Sequence, residues 1–130
     1  VADRIVVGGI ADKNFYNALS QDAQRSAVIL VDIEGGEFDL LDRDVFSALK
    51  DAIFIVELHD WFFDDGAARL QKLKDAAQKT HAVSAFSTGS RDPSQIKELW
   101  PFHDIDRWLL CSEGRKRLMT WLRLDPLQAE

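Results

Sequence analysis

Two apolar runs in this chain, Ala27-Val28-Ile29-Leu30-Val31 and Ala52-Ile53-Phe54-Ile55-Val56, each drive straight into ionisable residues. The first continues as Asp32-Ile33-Glu34-Gly35-Gly36-Glu37, the second as Glu57-Leu58-His59-Asp60. Unbroken apolar strands are the mark of a parallel sheet covered on both faces, and such sheets carry their sites at the strand C-termini. Between the runs, Leu41, Val45, Ala48 and Leu49 recur at helical spacing, which predicts a helix over 38–50. A short strand over 4–7 is broken by Gly8-Gly9. Asp12 can cap a helix over 13–24, with Phe15, Leu19 and Ala23 on one face. Asp64 or Asp65 caps a helix whose buried stripe is Ala67, Leu70, Leu73 and Ala77. A strand over 82–87 is closed by Thr88-Gly89-Ser90, and Asp92-Pro93 starts a short helix that ends before Pro101. Residues 107–112 read as a strand, and 117–124 as either a strand or a helix. The alternation of strand and helix predicts one α/β domain over 1–130 with a mainly parallel sheet.

Composition narrows the function classes. The chain has 130 residues, of which 46% are hydrophobic and 29% charged, so it can bury a core. A net charge of -6 and a pI near 5.0 argue against a nucleic-acid partner. The run Arg115-Lys116-Arg117, with Arg123 beyond it, is expected to be a solvated face or an anion contact. Cys111 is the only cysteine and is expected to pack as a small hydrophobe. No apolar stretch approaches the roughly 20 residues of a membrane span, and no signal segment opens the chain. A soluble, cytoplasmic domain without a membrane partner is the expectation. His81 is expected to serve a helix C-terminus, and His103 with Asp104 and Asp106 to lie in a loop.

The strand ends hold the candidate chemistry. If extended geometry persists, Asp32 and Glu34 share one side, as do Glu57 and His59, with Glu37 and Asp60 close by. Such a cluster can act as a general base on a hydroxyl, or its oxygens and one imidazole nitrogen can hold a divalent metal. The structural alternative is that Asp32 or Glu34 caps the next helix or takes backbone N–H groups of the Gly35-Gly36 turn. That glycine pair allows positive φ and close approach of a ligand. Trp61-Phe62-Phe63 can wall a small-molecule pocket or cover the sheet.

The block Val31-Asp32-Ile33-Glu34-Gly35-Gly36-Glu37-Phe38-Asp39-Leu40-Leu41, followed by Ile53-Phe54-Ile55-Val56-Glu57-Leu58-His59, resembles the centre of FkbM-type methyltransferases. More loosely, Ala2-Asp3-Arg4-Ile5-Val6-Val7 and Gly9-Ile10-Ala11 resemble the third-strand region of class I S-adenosylmethionine-dependent enzymes. The resemblance implies a partial class I fold, three-layered and Rossmann-like, holding the third to seventh strands of the sheet. Residues 82–87 and 107–112 would form its antiparallel C-terminal hairpin. It implies S-adenosylmethionine as cofactor and a small-molecule hydroxyl, such as a sugar's, as acceptor. Asp32, Glu34, Glu57 and His59 would be catalytic, Ile10, Ala11 and Asp32 would contact cofactor, and Gly35, Glu37, Asp60 and Trp61 would contact substrate, with no resident metal. Ile10 stands where the family's adenine-contacting Asp is usual, and the chain has no Gly-x-Gly. The expectation is therefore the C-terminal part of a methyltransferase, inactive alone and able to self-associate through its incomplete sheet. The rival readings are a non-catalytic α/β binding or interaction domain, and a nucleotide-cofactor domain with Gly8-Gly9 as phosphate loop.

Overall fold

The computed structural model describes residues 5, 8–89, 91–112 and 117–128. The strand expected over 4–7 lies outside them except for Ile5, as do Arg115 and Lys116 of the basic run.

Caps divide two of the expected helices. Asp12 Oδ1 accepts the Asn14 N–H at 2.8 Å, and the turn that follows is a single 3-10 turn, Phe15–Ala18. The chain then extends at Leu19, and Ser20 accepts the Ala23 N–H to start α1 (Gln21–Ser26) afresh. β1 (Val28–Val31) follows. The helix expected over 38–50 is likewise two pieces, α2 (Glu37–Leu40) and α3 (Arg43–Ala48). Asp42 sits between them with extended backbone, accepting the N–H groups of Asp44 and Val45 and pairing with Lys13 at 2.9 Å. Lys13 holds the Asp42 carboxyl below its ordinary value. Apolar spacing alone does not register such a mid-segment cap.

β2 (Ile53–Glu57) leads through a 3-10 turn, Asp60–Phe62, to α4 (Gly66–Ala77). Gly66 is required there, because a Cβ would overlap the Asp60 carbonyl. β3 (His81–Ser87) is followed by two 3-10 turns, Pro93–Gln95 and Lys97–Leu99. Residues 107–112, expected as a strand, belong instead to α5 (Asp104–Ser112). Asp104 and Asp106 lie in its first turn, where carboxylates complement the helix dipole, and Asp104 pairs with Arg107 one turn on. The chain ends in β4 (Thr120–Pro126). Among the described residues no helix is long and apolar enough to cross a membrane.

The sheet order is β1-β2-β4-β3. β1 and β2 are parallel, with Val28 opposite Ile53 and Val31 opposite Val56. β4 runs antiparallel to both its neighbours, so one pairing is parallel and two are antiparallel, rather than mainly parallel. The antiparallel pair at the C-terminal end exists, but the partner of β3 is 120–126 and not 107–112. The alternation of β4 explains its place. Leu122 and Leu124 are fully buried beside Val56 and Phe54, while Arg123 faces the other way and pairs with Asp125.

The core lies between this face of the sheet and helices α3 and α4. Phe46 of α3 meets Phe54 of β2 edge-to-face at 5.3 Å, and Val45, Leu49, Leu73 and Ala77 close around them. Truncating Phe54 to Ala would remove about 3–5 kcal/mol. On the opposite face Val28 and Leu30 remain 64% and 66% exposed.

His81 opens β3 inside this core and does not serve α4, after whose end it lies. Its Nε2 lies 3.0 Å from the Ala52 carbonyl and its Nδ1 2.8 Å from Thr80 Oγ1, between the rings of Phe46 and Phe54. A carbonyl accepts only, so Nε2 carries the proton and Nδ1 takes the threonine hydroxyl's. Burial pushes the His81 pKa below the ordinary 6.5, against the pull of the carbonyls of Ala52 and Leu49. The unfolded chain gains a proton here as pH falls below about 6.5, while the folded chain does not until a lower pH. Stability should therefore decline as pH drops through that window, before Asp42 and its like protonate below about 4. Thermal melts between about pH 7.5 and 5 should show a shallower slope for His81→Phe than for wild type. Equal slopes would exclude His81 as the source.

Candidate acid–imidazole site

The parallel register of β1 and β2 places the ends of both apolar runs side by side, since Val31 pairs with Val56. What happens next is set by a turn. The Gly36 N–H donates to the Ile33 carbonyl at 3.0 Å, and the two residues between have positive φ, 51° at Glu34 and 98° at Gly35. Both central residues have the φ sign of a type I′ turn. Among the described residues Glu34 is the only non-glycine with positive φ, a conformation worth roughly 1–2 kcal/mol of strain for an L-residue. Gly35 is needed twice, for its φ and because a Cβ would stand 3.1 Å from the Phe63 ring.

The turn brings Glu37 beneath the two loops. It is fully buried, and its Oε2 accepts the Gly35 N–H at 2.8 Å while its Oε1 accepts the His59 N–H at 2.7 Å. One carboxylate thus joins two segments 22 residues apart. The structural role foreseen for Asp32 or Glu34 at the glycine turn belongs to Glu37 instead. A glutamate in the first turn of a helix, just behind a glycine, is the signal that could have pointed to it.

His59 sits at the centre of the remaining acids. Its Nδ1 is 3.3 Å from Glu37 Oε1, and its Nε2 is 3.4 Å from Glu34 Oε2 and 3.8 Å from Asp32 Oδ1. The imidazole is only 3% exposed, whereas the side chains of Asp32 and Glu34 are 43% and 75% exposed. Phe62 stacks on the ring at 5.6 Å and Trp61 leans on it at 5.2 Å. Arg117 lies over Trp61 at 4.9 Å, a contact that sequence spacing did not suggest. Asp32, Glu34 and His59 each offer one ligand atom, all within 4.8 Å of one another, and could share a cation.

The other expected residues fall around this cluster or apart from it. Glu57 is buried at the end of β2, opposite Trp121 of β4. The Asp60 carbonyl accepts the Phe63 N–H and lies against Gly66. The aromatics divide their roles: Trp61 and Phe62 flank His59, while Phe63 packs against Phe38 and under Arg69. Ile10 and Ala11 lie in exposed coil, and added Cβ atoms at Gly8 and Gly9 would meet nothing within 4 Å. A charged groove of about 740 Å³ opens between the α2–α3 junction and α4, lined by Lys13, Asp42, Asp65, Arg69 and Lys72 among others, but by no member of the histidine cluster.

No family model, no curated protein and no solved structure matches this chain.

Each hydrogen bond to an ionised acceptor contributes roughly 1.5–3 kcal/mol. Glu37→Gln would set an NH2 group against one of the two N–H donors it now satisfies. Urea unfolding should show a loss of about 2 kcal/mol for that variant and about 3 for Glu37→Ala. An unchanged midpoint in Glu37→Gln would mean that the carboxylate does not hold the two loops together.

Proposed function

We propose that this chain carries the acceptor side of an S-adenosylmethionine-dependent methyltransferase of the FkbM type, acting on a hydroxyl of a small molecule such as a sugar. The observation that carries the reading is the cluster itself. Both sequence blocks that resemble the family contribute to it, and it lies where two adjacent parallel strands end. The antiparallel β3–β4 pair at the sheet's edge supports the reading, because the resemblance implied such a pair. So do the uncovered Val28 and Leu30, which a second layer would shelter in a three-layer sheet.

The cofactor, when bound, supplies an activated methyl group. The described residues form no cradle for it: Ile10 is wholly exposed, and the chain lacks a Gly-x-Gly turn. Their work is therefore confined to the acceptor. Glu34 and Asp32, the exposed members, meet an incoming hydroxyl first and orient it by hydrogen bonds. His59 lies behind them, fixed by Trp61, Phe62 and the Glu37 anchor, and accepts the hydroxyl proton relayed through Glu34. Buried Glu57 completes the negative field at the strand end.

Methyl-labelled S-adenosylmethionine, offered with a panel of sugars and polyols to the natural-length protein, tests this reading. The triple variant Asp32→Asn, Glu34→Gln, His59→Ala should lower transfer by a factor of about 100 or more. Transfer at the wild-type rate by that variant would dismiss the proposed roles, and no transfer to any hydroxyl acceptor would dismiss the reaction.

A further inference from the structure

We infer that Asp32, Glu34 and His59 form a binding site for a divalent first-row cation of the Mn²⁺ type. Two independent features point to it. The first is spacing. His59 Nε2 lies 3.4 Å from Glu34 Oε2 and 3.8 Å from Asp32 Oδ1, too far for charge-assisted hydrogen bonds of about 2.7–2.9 Å. Two ligands about 2.1 Å from one ion stand roughly 3.0–3.4 Å apart, from octahedral to tetrahedral geometry, so Glu34 Oε2 is spaced from Nε2 as an edge of a coordination shell and Asp32 Oδ1 lies slightly beyond.

The second feature is the imidazole. Its ring is 3% exposed, and its Nε2 is aimed at Glu34 and Asp32 without a hydrogen bond to either. Nδ1 faces Glu37 Oε1 at 3.3 Å, which favours the proton on Nδ1 and turns the Nε2 lone pair towards the two acids. A histidine bound to metal through one nitrogen commonly presents the other to a carboxylate in this way, which fixes its tautomer and orientation.

The donor set also selects the ion. One nitrogen with two carboxylate oxygens suits Mn²⁺, Fe²⁺ or Zn²⁺ better than Mg²⁺ or Ca²⁺, which prefer oxygen alone. Three protein ligands leave positions for water or for an oxygen of a substrate. The strained backbone of Glu34 is consistent with a residue held where its carboxylate is needed. With an ion on Nε2 the imidazole is a ligand and no longer the proton acceptor, and the ion would instead polarise the acceptor hydroxyl; that part rests on the methyl-transfer reading, the binding does not.

Titration of the purified chain with Mn²⁺, followed by the loss of the free-ion electron paramagnetic resonance signal, tests the site. One equivalent should bind with micromolar to sub-millimolar affinity. Asp32→Asn and Glu34→Gln alter exposed side chains and should keep the far-ultraviolet circular dichroism of wild type. Each should weaken binding by about tenfold or more, and His59→Ala should abolish it. Asp42→Asn, which lies outside the cluster, should leave it unchanged. Failure to bind Mn²⁺ at millimolar concentration would overturn the inference. Binding that survives Glu34→Gln and Asp32→Asn together would overturn it as well. Mn²⁺ binding without any methyl transfer would leave this site standing and remove the reaction proposed above.

Discussion

The buried carboxylate of Glu37 is the constraint on which the site depends. A fully desolvated carboxylate is expensive unless several donors meet it, and here backbone N–H groups from two loops do so. Because one donor belongs to Gly35 and the other to His59, satisfying the charge also brings the loops after β1 and β2 together. The glycine turn, the strained Glu34 and the sheltered imidazole all follow from that arrangement. Remove the charge, and the two loops are left with the longer approach of Glu34 to His59 and the packing of Gly35 against Phe62 and Phe63.

The sheet beneath supplies the platform. Parallel pairing of β1 and β2 ends both apolar runs at the same level, and β4 fills the space between β2 and β3 with Leu122 and Leu124. An antiparallel strand there buries one row of side chains and leaves Arg123 and Asp125 to pair on the other face. The His81 imidazole locks β3 to the segment before β2 through the Ala52 carbonyl. The His81 imidazole is thus partnered at both nitrogens and ties the sheet beneath the cluster to the turn before it.

The strands with unbroken apolar runs were legible because those runs are long enough to stand out; of the expected α4 stripe Leu73 and Ala77 are buried and Leu70 is half-buried, while Ala67 is exposed. The helices that broke in two were not legible, because Ser20 and Asp42 act through side-chain hydrogen bonds that leave apolar spacing intact. Residues 107–112 misled because Trp108-Leu109-Leu110 is too short a run to distinguish a strand from a helix. The acids Asp104 and Asp106 just before it were the better guide.

The sequence by itself determined which ionisable residues gather at the candidate site: acids and a histidine placed directly after two strands can lie nowhere but at their ends. It also determined that the turn between them would be glycine-dependent. Only the tertiary structure decided how those groups are used. Asp32 and Glu34 reach one imidazole through a reversal of the backbone and not through extended alternation, and Glu37, alike in sequence to its neighbours, is the one withdrawn from solvent. Local pattern can specify a residue's element, but which of three carboxylates is desolvated depends also on the His59 N–H, which arrives from a loop 22 residues away.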